Sequence, residues 1–288
     1  MGGVIYRSAA HRKNTKEEHI VETDLFLAAY APRWSEQLEY LASIAMPEPW
    51  KFKNPSYERK NAEYAVLERY IFSVFRHQVI SAENAFSPME ADQFFFLRSG
   101  YACFHTGLMS RKFKDIYAFF ERNRYDWASQ DWVLKGFYDD TSPAVRIIGT
   151  LPLKPYSNLY AAQSCFRPDW PIRVNVQHVL DSPENLSRIP EAIRHFGNLP
   201  LLLEAGVEAA RRTASYTPSI VVPQLYQNRI QFLLPICLLD PAKPDIALTI
   251  SEMEDYYLGN TCLTLEMTYN NARQLARPTA PWLTSLVE

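Results

Sequence analysis

The strongest chemical signal in the chain is a polar stripe near its C-terminus, within the segment from Met267 to Pro278. If this segment is helical, the spacing i, i+3, i+4 and i+7 places four hydrogen-bonding side chains on one face, namely Asn270, Arg273, Gln274 and Arg277. Two guanidinium groups beside two amides suit an anionic ligand with planar oxygens, such as a phosphate. The stripe therefore predicts a phosphate-binding surface, and a solvated helix face is the alternative.

Two adjacent asparagines belong to the same segment, and asparagine is unfavourable in the interior of a helix. We therefore predict that Asn270 and Asn271 lie at the start of the helix, where they act as cap and ligand. The predicted substrate-binding residues of this segment are Tyr269, Asn270, Asn271, Arg273 and Arg277.

A second candidate group surrounds His178, which lies three residues after Asn175 and three before Asp181. If the chain is helical there, the three side chains share one face, and a carboxylate that orients an imidazole is a general-base arrangement. If the alternating segment Ile172 to Leu180 remains a strand, Asn175 and His178 point to opposite faces. The first interpretation makes His178 and Asn175 catalytic, whereas the second makes His178 structural.

A third candidate is the tripeptide His105-Thr106-Gly107, at the end of a predicted strand rich in aromatic residues. It could present an imidazole, a hydroxyl and a closely approaching backbone to a ligand. On this basis His105 is predicted to be catalytic and Thr106 to bind substrate. The alternative is a packed histidine in an apolar strand.

Arg211 lies near the end of a helix predicted from Pro200 to Ala214, and we predict that it contacts phosphate. The alternative is that Arg211 compensates the helix dipole. The chain has no Walker A, GxSxG or HExxH motif and no Rossmann glycine pattern. Its four cysteines show no CxxC spacing, so no metal site is predicted and no cofactor is identified.

Composition restricts the mode of binding. The 288 residues carry a net charge of -2, so a nucleic acid would have to bind at a local basic patch. There are 9 glycines and 20 prolines, which argues against glycine-rich phosphate loops. Because the chain lacks an 18-residue apolar run and an apolar signal core, we expect a cytoplasmic protein with no membrane contact.

The order of the predicted elements indicates the fold class. Residues 1–20 are polar and predicted to form a flexible arm, and residues 21–288 are predicted to form a single domain. Helical patterns, including one from Arg59 to Val79, precede segments with strand character, and Ile116 to Glu121 is predicted to be a short helix or loop. This order predicts an α+β fold in which a helical N-terminal layer packs on a largely antiparallel sheet, closed by a C-terminal helix.

Four segments resemble a known family: YACFHTGL from Tyr101, RVNVQHVLD from Arg173, VPQLYQNRIQFLLPICL from Val222, and CLTLEMTYNNARQLARPTAPWL from Cys262. They are similar to the bacterial and archaeal proteins that share the domain of unknown function 3825. The resemblance covers most of the chain beyond Asp24, and YNNAR followed by ARP is its most specific part. Family members tend to have asparagine where this chain has His105. Some are joined to RNA-binding modules, so the resemblance implies RNA-related work.

Together these features predict a protein that binds RNA or a nucleotide. A phosphoester-processing enzyme is the activity that His178 and the arginines would support. Two alternatives are a non-catalytic module that binds RNA or a protein, and an enzyme that acts on an unrelated small molecule.

Overall fold

The computed structural model describes residues 23–55, 61–98, 100–156, 166–226 and 229–288. Within them, helices pack on two mixed five-stranded sheets, which confirms the predicted α+β class. The predicted arm of residues 1–20 lies outside the described residues, as does Arg59 at the start of a predicted helix.

The first sheet has the strand order β1-β5-β4-β3-β2. Only β1 and β5 are parallel, and the other pairs are antiparallel. The register shifts between His105 and Met109 on β3, and again between Phe119 and Phe120 on β4, where Lys135 is the extra residue of β5. The strands are β1 (Ala29–Tyr30), β2 (Phe95–Arg98), β3 (Tyr101–Met109), β4 (Asp115–Arg122) and β5 (Trp132–Asp139).

The second sheet has the order β6-β10-β9-β8-β7, and only β6 and β10 are parallel. Both sheets therefore consist of an antiparallel meander with one short parallel strand at an edge. Its strands are β6 (Ile172–Val174), β7 (Val222–Tyr226), β8 (Arg229–Ile236), β9 (Ile246–Glu252) and β10 (Tyr257–Thr264).

The helices lie before, between and after these strands. They are α1 (Leu25–Ala28), α2 (Trp34–Ile44), α3 (Ala65–Glu83), α4 (Pro88–Ala91), α5 (Pro143–Arg146), α6 (Val176–Asp181), α7 (Pro183–Arg188), α8 (Glu191–Arg194), α9 (Leu199–Tyr216), α10 (Leu265–Leu275) and α11 (Pro281–Thr284). None of the helices in the described ranges combines the length and apolar character needed to cross a bilayer. The long helix α3 buries a stripe at helical spacing that includes Tyr70, Ile71 and Val74.

The core determines which elements share a face of the second sheet. The largest apolar cluster joins α3 and α10 to both sheets, with Leu233 of β8 among its members. A second cluster contains the next residue, Leu234, together with residues of α6 and α9. Neighbouring residues of a strand point to opposite faces. Helix α10 therefore packs on one face of this sheet, and α6 and α9 pack on the other.

Two local predictions were wrong, and the open choice between strand and helix after Asn175 is decided in favour of the helix. Ile116 to Glu121 belongs to strand β4, which is buried over Ile116–Phe120 and so lacks the alternation that marks a half-exposed strand. The strand that begins at Ile172 ends at Val174. Helix α10 begins at Leu265, where the Thr264 side chain caps it, so Asn270 and Asn271 lie within the helix and not at its start.

Candidate functional site

Helix α10 directs Arg273 into the protein interior. The Arg273 Nε donates a hydrogen bond of 2.9 Å to Oε1 of Glu48, and Nη2 donates to the same oxygen. Both side chains are only 9% exposed. The guanidinium carbon also lies 4.3 Å from the ring centroid of Tyr70 and 5.4 Å from that of Trp50. The charge of Arg273 is therefore satisfied internally and is not presented to a ligand.

The electrostatics of this cluster favour the charged guanidinium. Burial acts to lower the pKa of Arg273, but Tyr70 and Glu48 outweigh it, so the pKa is raised. Tyr269 is buried beside them and packs edge-on against Phe52, with ring centroids 5.8 Å apart. Burial, and then the Glu48 carboxylate, raise the pKa of Tyr269, which keeps its phenol protonated.

The remaining predicted residues of the stripe have separate environments. Arg277 lies beyond the helix end, is exposed, and donates from Nη1 to the Pro47 carbonyl at 3.4 Å. Asn271 donates to Gln224 Oε1 at 2.9 Å, which places it in a polar contact with β7. The Asn270 Oδ1 atom is buried and accepts no hydrogen bond from any described residue. Of this stripe, Arg277 is therefore the cation that faces solvent.

His105 is buried where β3 departs from its register with β4. Its Nδ1 accepts a hydrogen bond from the Gly107 N–H at 2.8 Å, so the proton of the neutral ring belongs on Nε2. Nε2 lies 3.5 Å from Oδ1 of Asp115. Burial lowers the pKa of His105, and the opposing effect of Asp115 is smaller. The histidine is therefore enclosed and neutral.

Thr106 has a structural role at the same register shift. Its hydroxyl donates to the Ile116 carbonyl at 2.6 Å and accepts from the Leu108 N–H at 3.2 Å. Because its exposed fraction is 0%, no ligand reaches it in this conformation. These bonds replace the strand pairing that is lost at the register shift.

The buried His105 predicts a pH dependence of stability. The pKa of His105 in the folded chain lies below the ordinary value of 6.5. Just below pH 6.5, His105 therefore binds a proton in the unfolded chain but not in the folded chain. The contribution of His105 to the free energy of unfolding is fully present above about pH 6.5. It is lost as the pH falls toward the folded pKa, at roughly 1.4 kcal/mol per pH unit. We expect His105→Asn to flatten the decline of the urea unfolding midpoint between about pH 7 and pH 5.

The matched control is His178→Asn, because His178 is exposed. This substitution makes the same chemical change at an exposed position and so controls for the replacement of histidine by asparagine itself. A slope that is equal in the parent and in His105→Asn would contradict the assignment of a neutral buried imidazole.

Tyr70 connects the region around His105 to the Arg273 cluster. A Cβ atom placed on Gly107 would lie only 2.3 Å from the Tyr70 hydroxyl oxygen, so this hydroxyl packs directly against the glycine backbone. The ring of the same tyrosine lies against the Arg273 guanidinium. The structure therefore brings the predicted residues of β3 and α10 together, but they form part of the packed interior and not an open site.

The predicted catalytic pair Asn175 and His178 lies elsewhere. The chain is helical there, and the Asn175 side chain caps α6 by accepting the His178 N–H at 3.0 Å. Asp181 accepts a hydrogen bond from Gln177 at 2.7 Å. Since α6 packs on the face of the second sheet opposite to α10, His178 and Arg273 do not share a site.

Arg211 is also on the far face, on helix α9. Its guanidinium donates to both carboxylate oxygens of Glu208, at 2.8 Å and 2.7 Å. Both residues lie on one exposed surface of the helix. The Glu208 carboxylate therefore competes with a phosphate for the guanidinium donors of Arg211.

A basic turn between β3 and β4 was not among the predicted site residues. We define the basic turn as residues 110–114, in which Arg111, Lys112 and Lys114 are all exposed. None of these three cations forms an ion pair with a described residue. Phe113 lies between them, 73% exposed and with a φ of 58°, a left-handed conformation that is costly for a bulky side chain. The signal in the sequence is the run Arg-Lys-Phe-Lys shortly after a predicted strand.

The basic turn is held by its own hydrogen bonds. The Ser110 hydroxyl accepts from the N–H groups of Lys112 at 3.3 Å and Lys114 at 3.2 Å. The Arg111 N–H donates to the Ile44 carbonyl at the end of α2, at 3.1 Å. The turn therefore presents three cations and an aromatic ring from a fixed backbone.

Comparison with known proteins gives a family but no activity. Residues 41–282 match the family model described as Domain of unknown function (DUF3825). No curated protein and no solved structure matches the chain. The match extends over most of the chain and includes β3, the basic turn and α10. This chain is therefore a member of the DUF3825 family.

Proposed function

We propose that this protein binds RNA and that the basic turn is its main phosphate contact. The observation that carries the proposal is the group of three exposed cations, Arg111, Lys112 and Lys114, none of which forms an ion pair with a described residue. In a chain of net charge -2, attraction for a polyanion requires such a local patch. The resemblance to a family some of whose members are joined to RNA-binding modules supports the same ligand class.

Phe113 adds a second kind of contact. Its ring is 73% exposed beside the cations, although burial of an aromatic ring would stabilise the fold. Exposed aromatic rings next to cations are typical of single-strand binding sites, where bases stack on the ring and phosphates meet the charges. The left-handed backbone of Phe113 has an energetic cost that a role in binding would explain.

We propose binding without catalysis at this site. His105 lies on the strand that leads into the basic turn, but it is buried and neutral and its Nδ1 is already bonded. His178 is exposed but lies on the far face of the second sheet. A general base must reach the proton that it removes, and neither imidazole meets that condition at the basic turn.

The test measures the affinity of the full chain for a fluorescent single-stranded RNA of about 12 nucleotides. The triple variant Arg111→Ala, Lys112→Ala, Lys114→Ala should bind at least roughly tenfold more weakly, because three phosphate contacts are lost. The slope of log affinity against log salt should fall by about 2, since each single-strand phosphate contributes about 0.7. Phe113→Gly keeps every charge and suits the left-handed backbone, and it should also weaken binding.

The matched control removes three other exposed cations, Arg146, Arg229 and Lys243, and so changes the net charge equally. We expect its RNA affinity and salt slope to remain close to those of the parent. Equal losses in the two triple variants would mean that only net charge matters, and the assignment of the basic turn would be wrong. Absence of RNA binding by the parent would overturn the proposed function.

A further inference from the structure

A groove runs along the outer edge of the first sheet, between helix α2 and strand β5. We call it the α2–β5 groove. Its cavity volume is 550 Å³, and its lining includes Arg33, Gln37, Tyr40, Tyr125 and Lys135. The groove exists because β1 pairs with only the first two residues of β5, Trp132 and Val133. Beyond that point α2 takes the place of a neighbouring strand among the described residues.

One end of the groove carries exposed aromatic rings. Tyr125 and Trp127 are stacked with ring centroids 5.3 Å apart, and Tyr30 packs edge-on against both at 6.2 Å and 4.8 Å. Trp127 is 68% exposed and Tyr125 is 48% exposed. The three rings hold one another in position while Trp127 and Tyr125 remain largely exposed. Such a surface suits a planar, stacking ligand such as a nucleobase.

The ion pairs along the groove are exposed and weak, so a ligand can replace them. Its lining contains two cations, Arg33 and Lys135, and one carboxylate, Glu36. Arg33 pairs with Glu36 at 3.4 Å and Lys135 pairs with Glu121 at 3.5 Å, and these side chains are between 42% and 79% exposed. Exposed ion pairs contribute less than about 1 kcal/mol, so a phosphate can displace the carboxylates at small cost.

The other end of the groove points toward the basic turn. The Ile44 carbonyl at the end of α2 accepts the Arg111 N–H at 3.1 Å. On the opposite wall, Tyr138 lines the groove and is followed by Asp139, whose pKa is lowered first by a hydrogen bond from Thr141 and to a smaller extent by the charge of Lys112. Both walls of the α2–β5 groove therefore lead toward the basic turn.

We infer that a single strand of RNA continues from the basic turn through the α2–β5 groove, where its bases stack on Tyr125 and Trp127. This inference rests on the proposed function and names the ligand more closely, as single-stranded and not duplex RNA. Bases in a duplex are already stacked and paired, so their faces cannot reach protein rings. The eight residues of β5 span about 26 Å, which is the length of about eight stacked nucleotides.

The test compares RNA single strands of about 4 and about 12 nucleotides, and a duplex of the longer sequence, on the full chain. The variants are Trp127→Ala and Tyr125→Ala, and the control is Tyr216→Ala, which removes a ring that is 90% exposed on α9. We expect the parent to prefer the long single strand. Each groove variant should lose roughly 5- to 100-fold in affinity for it and less for the short strand.

A second measurement locates the strand directly. Photocrosslinking of RNA that carries 5-iodouridine, followed by mass spectrometry, should identify the peptide with Tyr125 and Trp127. Long-strand binding that matches the parent in both groove variants, with crosslinks confined to the basic turn, would overturn the inference and leave the proposed function intact. Equal affinity for the duplex would also overturn it. Failure of every RNA to bind would overturn both, and would favour a protein ligand for this groove.

Discussion

Replacement of Glu48 by alanine should lower the free energy of unfolding by about 3 to 5 kcal/mol. The substitution leaves the guanidinium of Arg273 buried between Tyr70 and Trp50 with no carboxylate to accept its hydrogen bonds. A buried charge without a partner keeps its full desolvation cost. The measurement is urea unfolding of the parent and the variant, followed by circular dichroism.

Two further variants separate burial from the mere loss of a charge. Glu63 pairs with Lys51 at 2.8 Å but its side chain is 68% exposed, so Glu63→Ala should cost less than about 1 kcal/mol. A double variant with Glu48→Leu and Arg273→Met replaces both buried charges by apolar groups and should recover most of the stability. Similar losses for Glu48→Ala and Glu63→Ala would show that the Arg273 ion pair is not the source of the effect.

The Glu48–Arg273 pair also shows how far local spacing predicts a site. Helical periodicity predicted the helix that contains Arg273 and placed Arg273 on a common face with Asn270. It did not predict which face is buried, because the partner Glu48 lies 225 residues earlier in the sequence. Arginines on a helix face read equally well as ligands for phosphate or for an internal carboxylate. Only the tertiary contact distinguishes these two uses.

His178 also shows that local spacing predicts a helix but not the side of the sheet on which the helix packs. The helical alternative for the segment after Asn175 was correct, because Asn175 is an N-cap residue and a cap is a local signal. The position of α6 on the far face of the second sheet depends on the burial of Val176 and Val179 against the second apolar cluster. A single sequence contains no direct record of which sheet face a short helix covers.

The basic turn and the α2–β5 groove depend on sequence in different ways. The run Arg111 to Lys114 is visible in the sequence, but charged turns are usually solvated and carry no distinctive spacing. The groove results from a two-residue parallel pairing of Ala29 and Tyr30 with β5, and from the extra residue Lys135. Parallel pairing between such short and distant segments has no local signature. Both features therefore required the tertiary structure.

The second large effect is expected at Gly107, where substitution by alanine should destabilise the protein by about 2 to 5 kcal/mol. One part of the cost is conformational, since Gly107 has a φ of 76° and a left-handed residue with a Cβ costs about 1 to 2 kcal/mol. The other part is steric, because the new Cβ would lie 2.3 Å from the Tyr70 hydroxyl and 2.9 Å from Cγ of Pro155. Urea unfolding measures the sum of the two.

Gly149 provides the control that separates these parts. Its φ is 80°, but a Cβ there meets nothing within 4 Å. Gly149→Ala should therefore lower the free energy of unfolding only by the conformational cost, about 1 to 2 kcal/mol. Gly107→Ala in a Tyr70→Phe background removes the closest clashing atom and should cost less than in the parent. Equal costs for the two glycine substitutions would contradict the close packing of Tyr70 on β3. A reduced cost with phenylalanine at position 70 would support it, because Tyr70 is the residue through which β3 and the buried Arg273 are packed together.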